Sequence, residues 1–149
     1  MLRSLVFAAL CFTAMSASVL SAPLSPTSIE IDTSSGPHNF DIEVMRTRAE
    51  LEKGLMFRRQ MAPDAGMLFD FGAPQRVAMW MKNTYLPLDM VFIAKDGRVV
   101  SVKQNAEPQS ERIIGSGGDI TGVLELNAGT AKRIDLKVGD QVHHPMFGS

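Results

Sequence analysis

The segment from Lys82 to Asp89 carries the densest set of side chains in this sequence that could do chemistry. It reads KNTYLPLD, so a cation, an amide, a hydroxyl, a phenol and a carboxylate stand between two apolar stretches. If residues 76–82 form a strand, Trp80 shares a face with Lys82 and the neighbouring methionines face the core, because side chains alternate along a strand. An exposed tryptophan beside polar groups is typical of a binding site, since its ring can stack on a flat ligand or a sugar.

The same polar residues also allow a purely structural interpretation. Asn83 and Asp89 could satisfy backbone amides in a tight turn, as asparagine and aspartate often do in loops. In that case Asp89 would pair with Arg58 or Lys82 rather than contact a ligand.

Arg58 and Glu125 form a second group of candidates. Each is a charge bracketed by apolar residues, and a charge held against a core is costly unless it is paired. They are expected to pair with each other or to line a cleft with Asp89. Asp89 and Glu125 could also act as the acid and base of an envelope hydrolase, in the manner of glycosidases. Most such carboxylates belong to structural ion networks instead.

Copper binding is a third candidate chemistry. Met79 and Met81 flank the tryptophan, and residues 143–146 read HHPM. Thioether and imidazole groups are suitable copper ligands. Methionine also fills irregular cores, and the histidine pair is expected to lie in a frayed tail. The sequence therefore assigns no metal ligand.

Charge and motifs argue against several other classes of protein. The chain has 15 Lys and Arg against 16 Asp and Glu, a net charge of -1, so nothing draws it toward a nucleic-acid backbone. The glycine-rich stretch 115–118 is neither a nucleophile elbow nor a complete dinucleotide fingerprint, and the sequence has no P-loop. The sequence predicts no catalytic residue, cofactor or metal, and favours a non-catalytic role over an enzyme.

Residues 1–22 have the pattern of a secretory signal peptide. Arg3 is the only charge there, an apolar run from Leu5 to about Met15 follows, and small residues end the segment. The run is shorter than the about 20 residues that a membrane helix needs. We therefore expect a periplasmic or secreted protein with no membrane span after cleavage. Cleavage would remove Arg3 and no acidic residue, changing the net charge from -1 to -2, and would remove Cys11, the only cysteine.

The rest of the chain is predicted to be one domain with a short lead and a short tail. A length of 149 residues fits a single core. Residues 23–37 are rich in Pro, Ser and Thr, contain one short alternating piece at Ile29–Ile31, and are predicted to form a partly ordered N-terminal arm. Residues 38–144 are predicted to be a single β-rich domain, and residues 145–149 a tail.

Short strands dominate the predicted domain. Residues 40–44 alternate between apolar and acidic side chains, and residues 88–94 are apolar at nearly every position, as in a central strand covered on both faces. Asp96-Gly97 is a strong signal for a two-residue hairpin turn. Further strands are expected over 66–71, 76–82, 98–103, 120–126 and 138–142. The predicted fold is mostly β, a small barrel-like or sandwich-like antiparallel sheet of about seven strands with two short helices.

Two helix starts can be predicted from capping residues. Thr47 and Glu50 have the spacing of a capping box, and Gly54 is placed to end the helix that follows. Asn127 is expected to cap a second short helix over residues 128–135.

A set of short blocks runs in order through the chain. They are GLMFR at 54–58, GMLF at 66–69, WMKNT at 80–84, PLD at 87–89 and VLEL at 123–126, followed by AG at 128–129 and GD at 139–140. This set closely resembles the family called domain of unknown function 192, from about Phe40 to Val142. The resemblance implies a compact β-rich domain, often exported and found in bacteria and archaea, and it brings no accepted enzymatic activity.

The sequence thus predicts a non-catalytic binding or envelope accessory module for a small polar ligand or an envelope polymer. A carboxylate hydrolase and a copper-handling protein are the alternatives. The candidate ligand-binding residues are Arg58, Trp80, Lys82, Asn83, Asp89 and Glu125.

Overall fold

A seven-stranded sheet and a separate two-stranded sheet organise the protein in the computed structural model, which describes residues 25–148. The strands are β1 (Ser28–Thr33), β2 (Gly36–Met45), β3 (Ala65–Gln75), β4 (Ala78–Met79), β5 (Leu88–Ile93), β6 (Val99–Ala106), β7 (Ile114–Gly115), β8 (Ile120–Asn127) and β9 (Gln141–His143). The helices are α1 (Arg48–Lys53) and α2 (Thr130–Arg133).

The large sheet curls until its two edges meet. Its strand order is β6-β5-β8-β3-β2-β1-β9, and β4 pairs with β7 in the small sheet. Arg98 and Gln141 form a bridge between the edges, and the Val142 amide donates to the Gly97 carbonyl at 2.8 Å. The prediction of a mostly β, barrel-like fold with two short helices is confirmed. One pair, β2 with β3, is parallel, because the chain crosses from one strand to the next through α1.

The sheet separates two hydrophobic cores. One core contains residues from all seven strands and fills the inside of the curl; we call it the inner core. The other, the outer core, lies on the opposite face of β3, β5 and β8 and is covered by α1 and the connecting segments. On β5, Val91 and Ile93 belong to the inner core, while Met90 and Phe92 belong to the outer core. This double burial explains why β5 is apolar at nearly every position.

Several local predictions are confirmed. Thr47 and Glu50 form a reciprocal capping box at the start of α1, and Gly54 is its C-cap. A turn forms at Asp96 and Gly97 as predicted, but it spans three residues rather than two, because the Ala94 amide donates to the carbonyl of Arg98, and of the two predicted positions only Gly97 takes a positive φ, 83°.

The predicted N-terminal arm is wrong for the residues that form β1. Ile29 and Ile31 are fully buried in the inner core, and β1 pairs with β2 on one side and β9 on the other. Two ladders of hydrogen bonds and two buried side chains outweigh the turn-forming composition of the flanking residues.

Three other local predictions need correction. Within residues 76–82 only β4 is a strand. Gly129, not Asn127, is the N-cap of α2, and Asn127 instead donates to the carbonyls of Met61 and Ala62. The expected frayed tail is packed, because Met146 and Phe147 lie against the inner core.

The predicted signal peptide, residues 1–22, and Cys11 within it lie outside the described residues. Within residues 25–148, no helix has the length and apolar character needed to cross a bilayer.

Candidate functional site

A cavity of about 590 Å³ opens on the outer-core side of the sheet. Its walls come from α1 and the turn after it, from β3, and from β4. The apolar wall residues are Leu51, Leu55, Met56, Phe69, Phe71, Ala78 and Met79. Trp80, Thr84 and Glu125 also face this space, and Arg46, Arg48, Glu52 and Lys53 lie at its rim. The lining is mainly apolar, and its volume is in the range of small-molecule sites.

Gly54 lets α1 lie close to the sheet and so shapes the cavity. A Cβ atom at this position would lie 2.8 Å from Cζ of Phe69. Its backbone also has a φ of 45°, which side-chain-bearing residues rarely adopt. The glycine that ends α1 therefore also sets the distance between the helix and the cavity wall on β3.

Glu125 is the buried carboxyl of the cavity. It lies in the middle of β8, opposite Met67 of β3 and Met90 of β5, and only 4% of its surface is exposed. None of the hydrogen bonds and ion pairs found among residues 25–148 involves its side chain. Burial raises the pKa of the Glu125 carboxyl to about 8, because no facing cation compensates for the lost hydration.

Trp80 lies at the mouth of the cavity, with 44% of its surface exposed. The ammonium of Lys82 lies over its ring, 5.2 Å from the ring centroid. The same ammonium lies 3.8 Å from a carboxylate oxygen of Glu111. Met81, between them in sequence, is buried in the outer core. The predicted alternation of faces at Trp80 and Lys82 therefore holds, although the strand itself is only two residues long.

Arg58 does not reach Glu125. Both terminal nitrogens of its guanidinium donate to the carboxylate of Glu43, at 2.5 and 2.7 Å. This hydrogen-bonded pair lowers the pKa of Glu43 and raises that of Arg58. The predicted pairing of Arg58 with Glu125 or Asp89 is wrong, because Glu43 on β2 occupies the guanidinium.

Asn83 does not line the cavity but contacts Met56 and Phe57, which belong to or follow its wall. It adopts a positive φ of 55°, and its carbonyl accepts from the amide of Phe57 at 2.9 Å. Its side-chain amide lies 3.9 Å from the sulfur of Met56, one of the wall residues.

Asp89 lies on the opposite face of the sheet from Glu125. It pairs in register with Leu126, so its side chain points into the inner core while its neighbour Met90 faces Glu125. The Asp89 carboxylate is fully buried and accepts from the amides of Asn105 at 2.9 Å and Ala131 at 2.8 Å. The proposed hydrolase pair is therefore not assembled, since the sheet lies between its two carboxyls.

The predicted copper ligands are not brought together either. Met79 and Met81 lie on the outer-core side, whereas Met146 packs against the inner core. The ring of His144 is already engaged, with Nε2 on the carbonyl of Pro26 and Nδ1 accepting from the amide of Met146.

One group of side chains on the surface has ligand atoms close enough for a metal ion. The ligand atoms of Glu30, Asp32 and His143 lie within 4.8 Å of one another. Nε2 of His143 and the carboxylate of Asp32 are already hydrogen-bonded to each other at 2.8 Å, so an ordinary side-chain hydrogen bond accounts for the arrangement.

Two of the six predicted residues, Trp80 and Glu125, thus line one cavity. The sequence reasoning missed the wall supplied by α1 and the turn after it. Leu51 and Leu55 are four residues apart, and this spacing could have indicated a helical face turned toward the sheet.

Comparison with known proteins gives a family and two structural relatives. The family model DUF192, described as "Uncharacterized ACR", matches residues 29–144. A crystal structure of a candidate transcription regulator from Sinorhizobium meliloti 1021 is 50% identical, with a TM-score of 0.78, and the match covers 80% of this chain and 94% of that one. A protein of unknown function from Novosphingobium aromaticivorans DSM 12444 is 36% identical, with a TM-score of 0.76 and coverage of 88% and 98%. No curated protein matches this chain.

Proposed function

Since this chain belongs to the DUF192 family, which is uncharacterised, we propose its function from the cavity: it is a non-catalytic binding module for a small amphipathic molecule. The observation that carries the proposal is the carboxyl of Glu125, buried and without a hydrogen-bond partner among residues 25–148. Among residues 25–148 the one fully enclosed side-chain polar atom without a partner is Thr121 Oγ1, so the oxygens of Glu125 are not sealed off but border the cavity. A ligand that enters the cavity could therefore form a hydrogen bond with Glu125, and in poorly hydrated surroundings such a bond is favourable.

The cavity walls favour an amphipathic ligand over a wholly polar one. Leucine, methionine and phenylalanine side chains form most of the lining, and Glu125 and Thr84 are the polar groups inside. The hydroxyl of Thr84 already donates to the carbonyl of Lys82 at 3.2 Å. An apolar body with one hydrogen-bonding group fits this distribution, and the volume supports a small molecule rather than a polymer.

The composition of the cavity supports a binding role rather than a catalytic one. Its described lining contains no serine, cysteine or histidine. A nucleophile next to a base is the usual signature of covalent catalysis, whereas the hydroxyl of the described lining, that of Thr84, donates to the carbonyl of Lys82 instead.

We also propose that the protein is exported, on the strength of residues 1–22 alone. Mass spectrometry of the native protein from the envelope or medium should show a chain that starts near residue 23. A cell-associated chain that retains Arg3 and Cys11 would contradict export by this route.

Binding of a neutral apolar dye, N-phenyl-1-naphthylamine, tests the proposed function. We expect saturable binding at one site. Trp80→Ala should weaken it about tenfold through loss of a stacked ring, and Ala78→Phe should weaken it by filling the cavity. Phe57→Ala is the matched control, because Phe57 is an exposed aromatic residue outside the cavity. Dye binding that is absent, or unaffected by both cavity variants, would refute the proposal.

A further inference from the structure

We propose that the cavity recognises an organic cation, that is, an ammonium group carried on an apolar or aromatic body. The inference rests on the proposed binding function and adds the charge of the ligand to it. Its basis is the placement of one carboxyl and several aromatic and thioether side chains around the same space.

The carboxyl of Glu125 sets the charge that the inner end of the ligand can carry. Its cross-strand neighbours, Met67 and Met90, are uncharged, and no cation in residues 25–148 bonds to it. Once this carboxyl is ionised, an anionic group beside it would be repelled in a poorly hydrated space. A neutral group could form an ordinary hydrogen bond, whereas an ammonium forms a charge-assisted bond that is roughly twice as strong.

The walls suit a cation as well as an apolar body. Trp80, Phe69 and Phe71 place three aromatic rings around the cavity, and Met56 and Met79 add polarizable thioethers. Aromatic faces attract cations, and tryptophan does so most strongly. The ring of Trp80 already has an ammonium, that of Lys82, at 5.2 Å.

The basic residues at the rim do not offset this preference. Arg46 is paired with Asp70 at 3.2 Å, and Arg48 with Glu52 at 2.8 Å. Lys53, the other rim cation, is exposed, so salt screens its effect on a ligand inside the cavity.

Protonation of Glu125 should couple binding to pH. The charged groups that share its cavity are the four rim residues Arg46, Arg48, Glu52 and Lys53. Burial raises the pKa of Glu125 to about 8, so a cation that binds at neutral pH must displace a proton. The affinity for a cation should therefore rise with pH, by up to about fiftyfold between pH 6 and pH 8.

Three matched probes test the charge preference: 2-phenylethylamine, 2-phenylethanol and phenylacetate. Trp80 is the only tryptophan of the chain, so its fluorescence reports on this cavity directly. At pH 8 the amine should bind at least about tenfold more tightly than the alcohol, and phenylacetate should bind most weakly. Glu125→Gln should abolish the preference for the amine and its pH dependence, while leaving the affinity for the alcohol within about twofold.

The outcomes separate this inference from the proposed function. If the alcohol or phenylacetate binds as well as the amine, the cation inference fails while the binding module stands. If the neutral dye binds and the amine does not, the same conclusion follows. If the dye also fails to bind, both proposals are refuted. Should Glu125→Gln not fold, the pH profile of the unaltered protein decides: an affinity for the amine that does not change between pH 6 and pH 8 overturns the inference.

Discussion

Asp89 and Glu125 occupy neighbouring strands, and both are buried, yet their surroundings give them different roles. Asp89 accepts hydrogen bonds from two backbone amides, one at the end of β6 and one at the start of α2, and so ties both elements to β5. Glu125, one register position away on β8, faces an open cavity and has no partner among the described residues. A satisfied buried carboxylate stabilises a fold, and an unsatisfied one beside a cavity is free to bind a ligand.

Glu125 should make the folded protein less stable as the pH rises. Its pKa is about 8 when folded and about 4.5 when unfolded, so between these values the folded chain binds more protons. The free energy of unfolding should therefore decline from about pH 5 to pH 8 and level off above, by at most about 5 kcal/mol. Urea denaturation at several pH values measures this decline, and in Glu125→Gln it should be lost. Identical pH profiles for the two proteins would show that Glu125 is not buried as described.

Asp89→Asn should destabilise the protein by about 2 to 3 kcal/mol. Asparagine has one side-chain oxygen, so one of the two amides loses its acceptor and meets an NH₂ group instead. Chemical denaturation checks the prediction, with Asp41→Asn as the matched control on the exposed side of β2. A loss no larger than that of the control would mean that the two amide contacts contribute little.

At the scale of elements, local signals were enough where the element depends on its own residues. Three such cases are the capping box at Thr47, the turn at Gly97 and the continuous apolar run of β5. Capping, turn geometry and burial on both faces each require particular residue types within a few consecutive positions, so a short stretch of sequence is enough to predict them. Trp80 could be placed on an exposed face by the same reasoning, because side-chain alternation is local.

Elements that depend on distant partners could not be predicted in this way. β1 is a strand because β2 and β9 pair with it, and neither partner is visible in residues 28–33. Asn127 was expected to cap α2, but the carbonyls of Met61 and Ala62 take its amide. The separation of Asp89 from Glu125 follows from the register of β5 against β8, which only the paired sheet fixes.

Gly54→Ala should disturb the packing of α1 on the sheet. The added Cβ would meet Phe69 in addition to straining the backbone, so we expect a loss of about 2 to 4 kcal/mol and weaker dye binding. Gly72→Ala is the control, because Gly72 also has a positive φ, 76°, but nothing lies near its Cβ position. That variant should lose only about 1 to 2 kcal/mol. Equal losses in stability and dye binding would mean that the contact with Phe69 is unimportant.

At the scale of the whole molecule, β9 makes the curl of the sheet continuous. It pairs with β1 on one side. On the other side, two backbone hydrogen bonds join the region of β9 to the start of β6: the Val142 amide donates to the carbonyl of Gly97, and the Val99 amide donates to the carbonyl of Asp140. The two edge regions of a seven-stranded sheet are thus joined, which leaves few unpaired edge groups. The inner core contains side chains from all seven strands, including Val142 of β9 and Val99 of β6 on the two sides of this closure. Opening the closure should therefore affect the whole sheet rather than one edge.

Val142→Ala tests this coupling. Val142 is buried in the inner core, and its truncation should cost about 2 kcal/mol. Because the closure joins both edges, amide hydrogen exchange should accelerate equally in β1 and β6, although these strands lie far apart in the strand order. Val138→Ala, at an exposed position, should leave exchange unchanged in both strands. If the faster exchange in Val142→Ala were confined to β1 and β9, the closure would be a local contact, and the sheet would open from one edge without unfolding at the other.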